Sequence, residues 1–242
     1  MKASASDQRS ILDIQKFDFQ SATLRNKAAT LPEIAEINSL TIKQNNARDL
    51  RIAAETELSD VKRELARAEG DVEQIVTRIE RDEKRLSSGT GTPKELEQTQ
   101  HELVTLGARR AELEEVELEI MMRVDAIKER ITDLSGQENQ LALEIADLNI
   151  RKENALAAIH TELEGIEADR KSTTQSVSAD FLALYEKIRE ANNGIGAAAL
   201  AGNQCKGCNL TLNTIELQRI SGLAEDEVVR CEECRCILVR ER

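Results

Sequence analysis

Arg85-Leu86-Ser87-Ser88-Gly89-Thr90-Gly91-Thr92-Pro93-Lys94-Glu95 interrupts a long helix-forming sequence and decides how the chain folds back. Lys84 and Arg85 suit the negative end of a helix, and Gly89 suits the left-handed residue that terminates one. Thr92, Pro93 and Glu95 then make a capping box with proline at the first helical position, so a second helix starts at once. A turn this short places the two helices side by side and antiparallel, with the tip of a hairpin near 87–93.

The sequence on either side of the tip carries the pattern such a hairpin needs. Before it, Leu58, Leu65, Val72, Ile79 and Leu86 recur every seven residues, and Val61, Ala68, Ile75 and finally Asp82 follow them three residues on. After it, Leu106, Leu113, Ile120, Ile127, Leu134, Leu141 and Leu148 hold one register. Seven-residue periods sustained this long predict a left-handed coiled coil. Beyond Leu148 the register steps by one, to Leu156, Ile159, Leu163 and Ile166, where a local change of winding is expected. Upstream, Thr30-Leu31-Pro32-Glu33 reads as another capping box, which separates an N-terminal helix (Asp7 to about Ala29) from the first arm of the hairpin. At ~1.5 Å per residue the arms would measure ~80 Å (Glu33–Leu86) and ~145 Å (Pro93–Arg189), and the N-terminal helix can cover the difference by packing on the longer one.

Composition agrees. The 242 residues include 45 acidic and 33 basic side chains, only four aromatics (Phe17, Phe19, Phe181, Tyr185), no Trp and two prolines. Charge in this proportion with Ala, Leu, Ile and Val suits long helices burying narrow stripes, and excludes one thick core. A net charge of −12 disfavours broad adhesion to nucleic acid or anionic lipid. No stretch approaches the ~18 apolar residues of a membrane span, and MKASASDQRS has no apolar core of a signal peptide, so a cytoplasmic location is expected.

All five cysteines fall within the last 38 residues. Cys205-Lys206-Gly207-Cys208 and Cys231-Glu232-Glu233-Cys234 are two C-x-x-C pairs separated by 22 residues. Each pair can form a knuckle that aims two thiolates at one metal. Two knuckles then complete a tetrahedral four-cysteine site, which Zn²⁺ favours, and four protein ligands leave no open position for catalysis. An iron–sulfur cluster shares this ligand set, so zinc and iron remain alternatives at this point. Leu210, Leu212, Ile215, Leu217, Ile220 and Leu223 between the pairs can wrap the metal, and Ile237-Leu238-Val239 is a β-prone run. Cys236 reads as a free thiol beside the site, or as a substitute for Cys234 if the knuckle rearranged. A redox C-x-x-C would follow a strand in a βαβ unit, and that pattern is absent.

Nothing else in the sequence reads as chemistry. His101 and His160 lie on separate helical stretches, and the carboxylates of Glu112–Glu117 read as a solvated coiled-coil face. Gly89-Thr90-Gly91-Thr92 lacks the Lys and downstream hydroxyl of a phosphate loop. Residues 201–242 carry six basic side chains (Lys206, Arg219, Arg230, Arg235, Arg240, Arg242) against seven acidic ones, and no aromatic on which a base could stack.

The combination resembles the bacterial C4-type zinc-ribbon coiled-coil proteins. The residues that carry the resemblance are Pro93-Lys94-Glu95-Leu96 at the tip, Leu113 through Met121 on the second arm, Tyr185-Glu186-Lys187-Ile188-Arg189, and the two cysteine pairs. Leu12-x-x-Gln15 and Leu31-Pro32-Glu33 look most like the actinobacterial branch. The resemblance implies a non-enzymatic hairpin with a four-cysteine zinc ribbon, with Cys205, Cys208, Cys231 and Cys234 as metal ligands. In flagellate and chlamydial relatives it implies an adaptor touching sigma-54, secretion-apparatus components and messenger RNA, the last through basic ribbon residues. After the last ligand this chain reads Arg235-Cys236-Ile237-Leu238, where many members read Gly-Arg-Ile-Leu.

The expected architecture is therefore mainly α: a coiled-coil hairpin over 1–190, a Gly/Ala linker over 191–203, and a zinc ribbon over 204–242. The expected function is a non-enzymatic adaptor that binds partner proteins, holds one structural zinc, takes no small-molecule substrate and does not enter a membrane. A homodimer through a second apolar stripe is compatible with the pattern. The alternative is an RNA-binding regulator using Lys206, Arg219, Arg230, Arg235 and Arg240. A third reading is an RNA polymerase-binding factor acting through the hairpin tip, near Asp82 and Glu83.

Overall fold

The computed structural model describes residues 1–240. Five helices, α1 (Ala5–Ala29), α2 (Pro32–Ser87), α3 (Pro93–Thr174), α4 (Ala179–Ala191) and α5 (Thr214–Ser221), accompany four short strands, β1 (Ala197–Ala201), β2 (Gln204–Cys205), β3 (Val229–Arg230) and β4 (Ile237–Arg240). The chain divides into two units, residues 35–149 and residues 1–34 with 150–242.

The unit of 35–149 is the antiparallel pair α2/α3. Its tip has the expected chemistry: Gly89 takes φ 63°, Glu95 Oε2 accepts from the Thr92 N–H at 2.7 Å, and Thr92 Oγ1 accepts from the Glu95 N–H at 3.4 Å. Ala54, Val61, Ile120, Val124 and Ile127 are buried between the helices, with Leu58, Leu65, Ala68 and Ile131 packed against them. The antiparallel register shows in the charge pairs. Arg51 Nε meets Glu138 Oε2 at 2.9 Å, Glu57 pairs with Arg130, Glu64 Oε2 meets Arg123 Nη1 at 3.1 Å, and Arg78 pairs with Glu102. Such half-exposed pairs contribute at most about 1 kcal/mol each, so burial holds the helices while charge selects the register. Asp82 occupies an apolar position of the heptad and is buried there, one carboxylate oxygen lacking a partner.

The other unit holds α1, the C-terminal part of α3, α4 and the sheet. Two helix boundaries depart from expectation here. Thr30 does not cap α2. It closes α1, donating its hydroxyl to the Asn26 carbonyl at 2.8 Å. Helix α3 also stops at Thr174 instead of running to Arg189. Thr174 Oγ1 turns to the Lys171 carbonyl and Ser176 Oγ to that of Thr173, and such hydroxyl bonds favour a break over another helical turn. α4 then starts after Ser178. Where the heptad register steps, Ile159 packs with Leu24 and Leu31 of the α1–α2 corner, joined by Leu163 and Ile166.

The strands lie in the order β2-β1-β4-β3. The β1–β4 pair is parallel, with Ala197 opposite Ile237 and Leu200 opposite Arg240; the outer pairs are antiparallel. The stretch expected as a linker, 191–203, thus contributes an inner strand. Both faces of β1 and β4 are covered. Ala197, Ile237 and Val239 face Ile11, Ile14, Phe181, Tyr185 and Ile188. Ala198, Leu200 and Leu238, with Val229 beside Leu238 in the ladder, pack with Ile220 and the cysteines on the other face. The alternation is the period of two that a strand imposes. No described helix is long and apolar enough to cross a membrane.

Candidate metal centre

Two knuckles of the same geometry carry the thiols. In the first, the Asn209 N–H donates to the Cys205 carbonyl at 2.8 Å and Asn209 sits at φ 59°. In the second, the Arg235 N–H donates to the Cys231 carbonyl at 3.1 Å with Arg235 at φ 63°. The fourth residue after each leading cysteine therefore takes the left-handed conformation, which Asn adopts readily and Arg at a cost. One further backbone bond holds each knuckle. The Lys206 N–H donates to the Ala199 carbonyl of β1 at 3.0 Å, and the Cys231 N–H to the Cys236 carbonyl at 2.9 Å.

The Sγ atoms of Cys205, Cys208, Cys231 and Cys234 all lie within 4.8 Å of one another. Cys205 and Cys234 are 3.8 Å apart, and Cys208 and Cys231 3.9 Å. A tetrahedron with Zn–S bonds of ~2.3 Å has edges of ~3.8 Å, so the cage fits one such ion. Cys205 and Cys231 are buried while Cys208 and Cys234 are half-buried. Gly207 permits the close packing: a Cβ there would lie 3.0 Å from the Ala198 Cβ and 3.3 Å from the Cys236 sulfur. Burial pushes the Cys234 thiol well up, a penalty on the thiolate that a bound dication would oppose.

The fifth cysteine belongs to the same cluster. Cys236 is fully buried, with its sulfur 3.3 Å from that of Cys234 and 3.7 Å from that of Cys205. Among the wrapping residues, Leu212, Leu217, Ile220 and Leu223 pack here, whereas Leu210 and Ile215 are exposed.

The five basic candidates are not equivalent. Arg240 is built into the fold: Nη1 donates to the carbonyls of Ile220 (3.3 Å) and Leu223 (3.1 Å). Its Nη2 donates to those of Ala224 (2.6 Å), Glu225 (3.0 Å) and Glu227 (3.1 Å). Arg219 pairs with the buried carboxylate of Glu216, at 2.7 Å from Nε and 2.5 Å from Nη2, which holds that carboxyl below its ordinary range. Arg230 Nε donates to the Arg235 carbonyl at 3.0 Å. Lys206 and Arg235 are exposed. Arg242 lies outside the described residues. His101 and His160 are exposed and on different parts of α3. A groove between α1 and β4 is lined by Gln8, Arg9, Leu12, Asp13, Lys16 and Glu225 with Val239 and Arg240, and no cysteine is among these.

The sequence reading missed the joint that seats this module on the helices. Gln15 Oε1 accepts the N–H groups of Gly196 (2.6 Å) and Ala197 (3.1 Å), while its Nε2 donates to the Gly194 carbonyl at 2.9 Å. One turn further along α1, Asp18 takes Arg170 Nε at 2.7 Å and the Tyr185 hydroxyl at 2.6 Å. A lone tyrosine in an aromatic-poor chain was the available signal.

Comparisons with known proteins agree with this architecture. A family described as the CT398-like coiled coil hairpin domain matches residues 14–193. An uncharacterized protein of Mycobacterium tuberculosis is 34% identical over 244 residues, covering 99% of this chain and 98% of the relative. A solved structure from Mycobacterium smegmatis superposes with a TM-score of 0.87 at 30% identity, over 99% of this chain and 100% of the other. The structure of CT398 from Chlamydia trachomatis gives 0.70 at 16% identity, over 97% and 98%; at that identity the likeness is one of fold.

Proposed function

The chain belongs to the CT398-like coiled coil hairpin family, and from that premise we propose that it is a non-enzymatic, cytoplasmic adaptor of the actinobacterial branch, its C-terminal module a zinc ribbon. The observation that carries this reading is the closed four-thiol cage. A metal there has four protein ligands and no position for water or substrate, so its contribution is to hold the two knuckles together. Zinc suits the site because the edges match its bond length and the donors are all soft thiolates. The arm supplies surface for partners: Leu118 and Met122 project from α3 with 57% and 67% of their area exposed, away from the buried Ile120 and Val124. At i and i+4 the two side chains are neighbours on one face of the helix, so a partner can cover both at once.

Metal analysis of the purified protein is expected to find one zinc per chain. Affinity capture with the intact protein is expected to recover partner proteins that a Cys205→Ser/Cys208→Ser variant or a Leu118→Glu/Met122→Glu variant loses. Capture that neither variant changes would refute the adaptor reading. A salt titration against RNA separates the alternative, because phosphate neutralisation gives affinity that falls steeply with salt. With Arg219, Arg230 and Arg240 already engaged by acceptors of the fold, little such dependence is expected.

A further inference from the structure

Four thiols complete a tetrahedral shell, yet a fifth sulfur sits inside the same cluster. Cys236 Sγ lies 3.3 Å from Cys234 Sγ, closer than the contacts of 3.8 Å and 3.9 Å between the ligand pairs themselves. A buried cysteine of the ordinary kind packs among apolar side chains. This one touches two ligands, and Gly207 leaves no Cβ to hold it off. The exposure of the pair is graded: Cys234 is half-buried and Cys236 is sealed behind it. An oxidant arriving from solvent therefore meets Cys234 first and finds Cys236 in position to respond.

We propose that Cys234 and Cys236 form a reversible, hydroperoxide-sensitive dithiol whose oxidation ejects the metal from the cage; the metal part of this rests on the zinc reading above. In the first step the Cys234 sulfur attacks the terminal oxygen of a hydroperoxide. The O–O bond breaks, the alcohol or water leaves, and Cys234 becomes a sulfenic acid. The Cys236 sulfur then attacks the Cys234 sulfur, the S–O bond breaks, and the hydroxyl departs as water with the Cys236 proton. The sum is two thiols and one hydroperoxide giving one disulfide, one alcohol (or water) and one water, with two electrons passing to the peroxide. The sulfurs must close from 3.3 Å to ~2.05 Å, a movement of little over 1 Å. Cys234 can then no longer ligate, and a cage reduced to three thiolates releases its ion. A thiol reductant restores both sulfurs, which places the event on the reversible rung of cysteine oxidation.

The test uses the full chain, hydrogen peroxide, a chromogenic zinc indicator, thiol counting and peptide mass mapping. Wild type is expected to lose its zinc together with two thiols, to show the Cys234–Cys236 link within one peptide, and to regain zinc after reduction. Cys236→Ser and Cys236→Ala are first checked for zinc content. Without the sulfur at 3.3 Å, the nearest thiol left to Cys234 is that of Cys205 at 3.8 Å, a longer closure that lets Cys234 proceed to sulfinic acid, and the zinc recoverable after reduction is expected to fall at least about five-fold relative to wild type. Equal recovery in variant and wild type, or a disulfide mapped to another pair, overturns the proposal. If the variants fail to fold, the mapping on wild type decides alone. If untreated protein binds no zinc, the zinc reading fails, while the Cys234–Cys236 link still stands or falls by its mass.

Discussion

Raising the pH should unfold the joint between α1, α4 and the sheet, and one residue reports it. Tyr185 is the only tyrosine of a chain without tryptophan. It is fully buried, its ring lies against Gly196, and its hydroxyl donates to Asp18 Oδ2 at 2.6 Å. Burial, and then the hydrogen bond to the Asp18 carboxylate, hold the phenol far above its ordinary range. A phenolate here would lose its hydration and face a carboxylate. The folded state therefore keeps the proton that the unfolded state gives up near pH ~10. The stabilisation is complete below that pH and is lost as pH rises, at about 1.4 kcal/mol per unit while the native phenol stays protonated. Between pH 10 and 12 this amounts to about 2.3 kcal/mol, the slope being half its limit where the unfolded phenol is half ionised, and that is a large share of the ~5–15 kcal/mol of an ordinary domain.

Phenolate absorbance in the near ultraviolet is the assay, since no other chromophore interferes. In denaturant the tyrosine is expected to titrate near pH ~10. In native protein, phenolate should appear only at higher pH, in one steep step that coincides with loss of near-ultraviolet dichroism. Tyr185→Phe is the control for every other effect of alkali on the fold. It should lower stability at neutral pH by about 1–2 kcal/mol, through the lost hydrogen bond and the less well satisfied Asp18, and then decline less steeply with pH. A shallow, reversible titration near pH 10 in protein that keeps its native dichroism would refute the account of the joint.

Three further outcomes follow from individual contacts. Gly196→Ala places a Cβ 2.5 Å from the Tyr185 ring and is expected to destabilise the protein by about 3 kcal/mol in denaturant unfolding. Arg240→Ala removes a guanidinium that donates to five carbonyls; about 2–3 kcal/mol of stability should go, together with retention of zinc against a competing chelator, while any RNA affinity stays unchanged. Arg235→Gly relieves a left-handed arginine at φ 63° and should raise the unfolding midpoint by an amount worth about 1 kcal/mol.

The hairpin was legible because its signals are local and repeated: a heptad repeated over several turns outweighs any single exception, such as Asp82, and the tip carried both a stop and a start. The clustering of Cys205, Cys208, Cys231 and Cys234 was legible because the spacing of the two C-x-x-C pairs is that of two facing knuckles. What escaped was non-local. Ala197-Ala198-Ala199-Leu200-Ala201 is a strand covered on both faces, with α1 and α4 close on one side and the cysteine cluster close on the other. Small residues fit that space, and lacking charge or alternation they look like a flexible connector. The break at 175–178 escaped for a related reason. Isolated Ser and Thr are ordinary on a solvated helix, and only the cluster Ser172-Thr173-Thr174-Gln175-Ser176 tips the balance. Arg240 looked like a basic surface residue because a cage of carbonyls leaves no mark in a sequence.

The strand missed in the sequence changes what a metal held by the cysteines would control. β1 lies between β2 and β4, and β4 follows the second knuckle directly. The sheet is therefore the wall shared by the cysteine cluster and the apolar core of α1 and α4. The N-terminus is tied to the same module: the Ala3 N–H donates to the Asp226 carbonyl at 2.8 Å and the Val228 N–H to that of Met1 at 3.1 Å. Loss of such an ion would free the knuckles that position β2 and β4, and with them the surface on which Ile11 and Ile14 rest. A fragment beginning at 204 would lack β1, Gln15 and the N-terminal residues. Failure of such a fragment to bind a partner would report an unfolded ribbon and not an uninvolved one. Whether the ribbon recognises anything can be asked only with α1 and β1 present, where occupancy of the cage and seating of α1 are expected to rise and fall together.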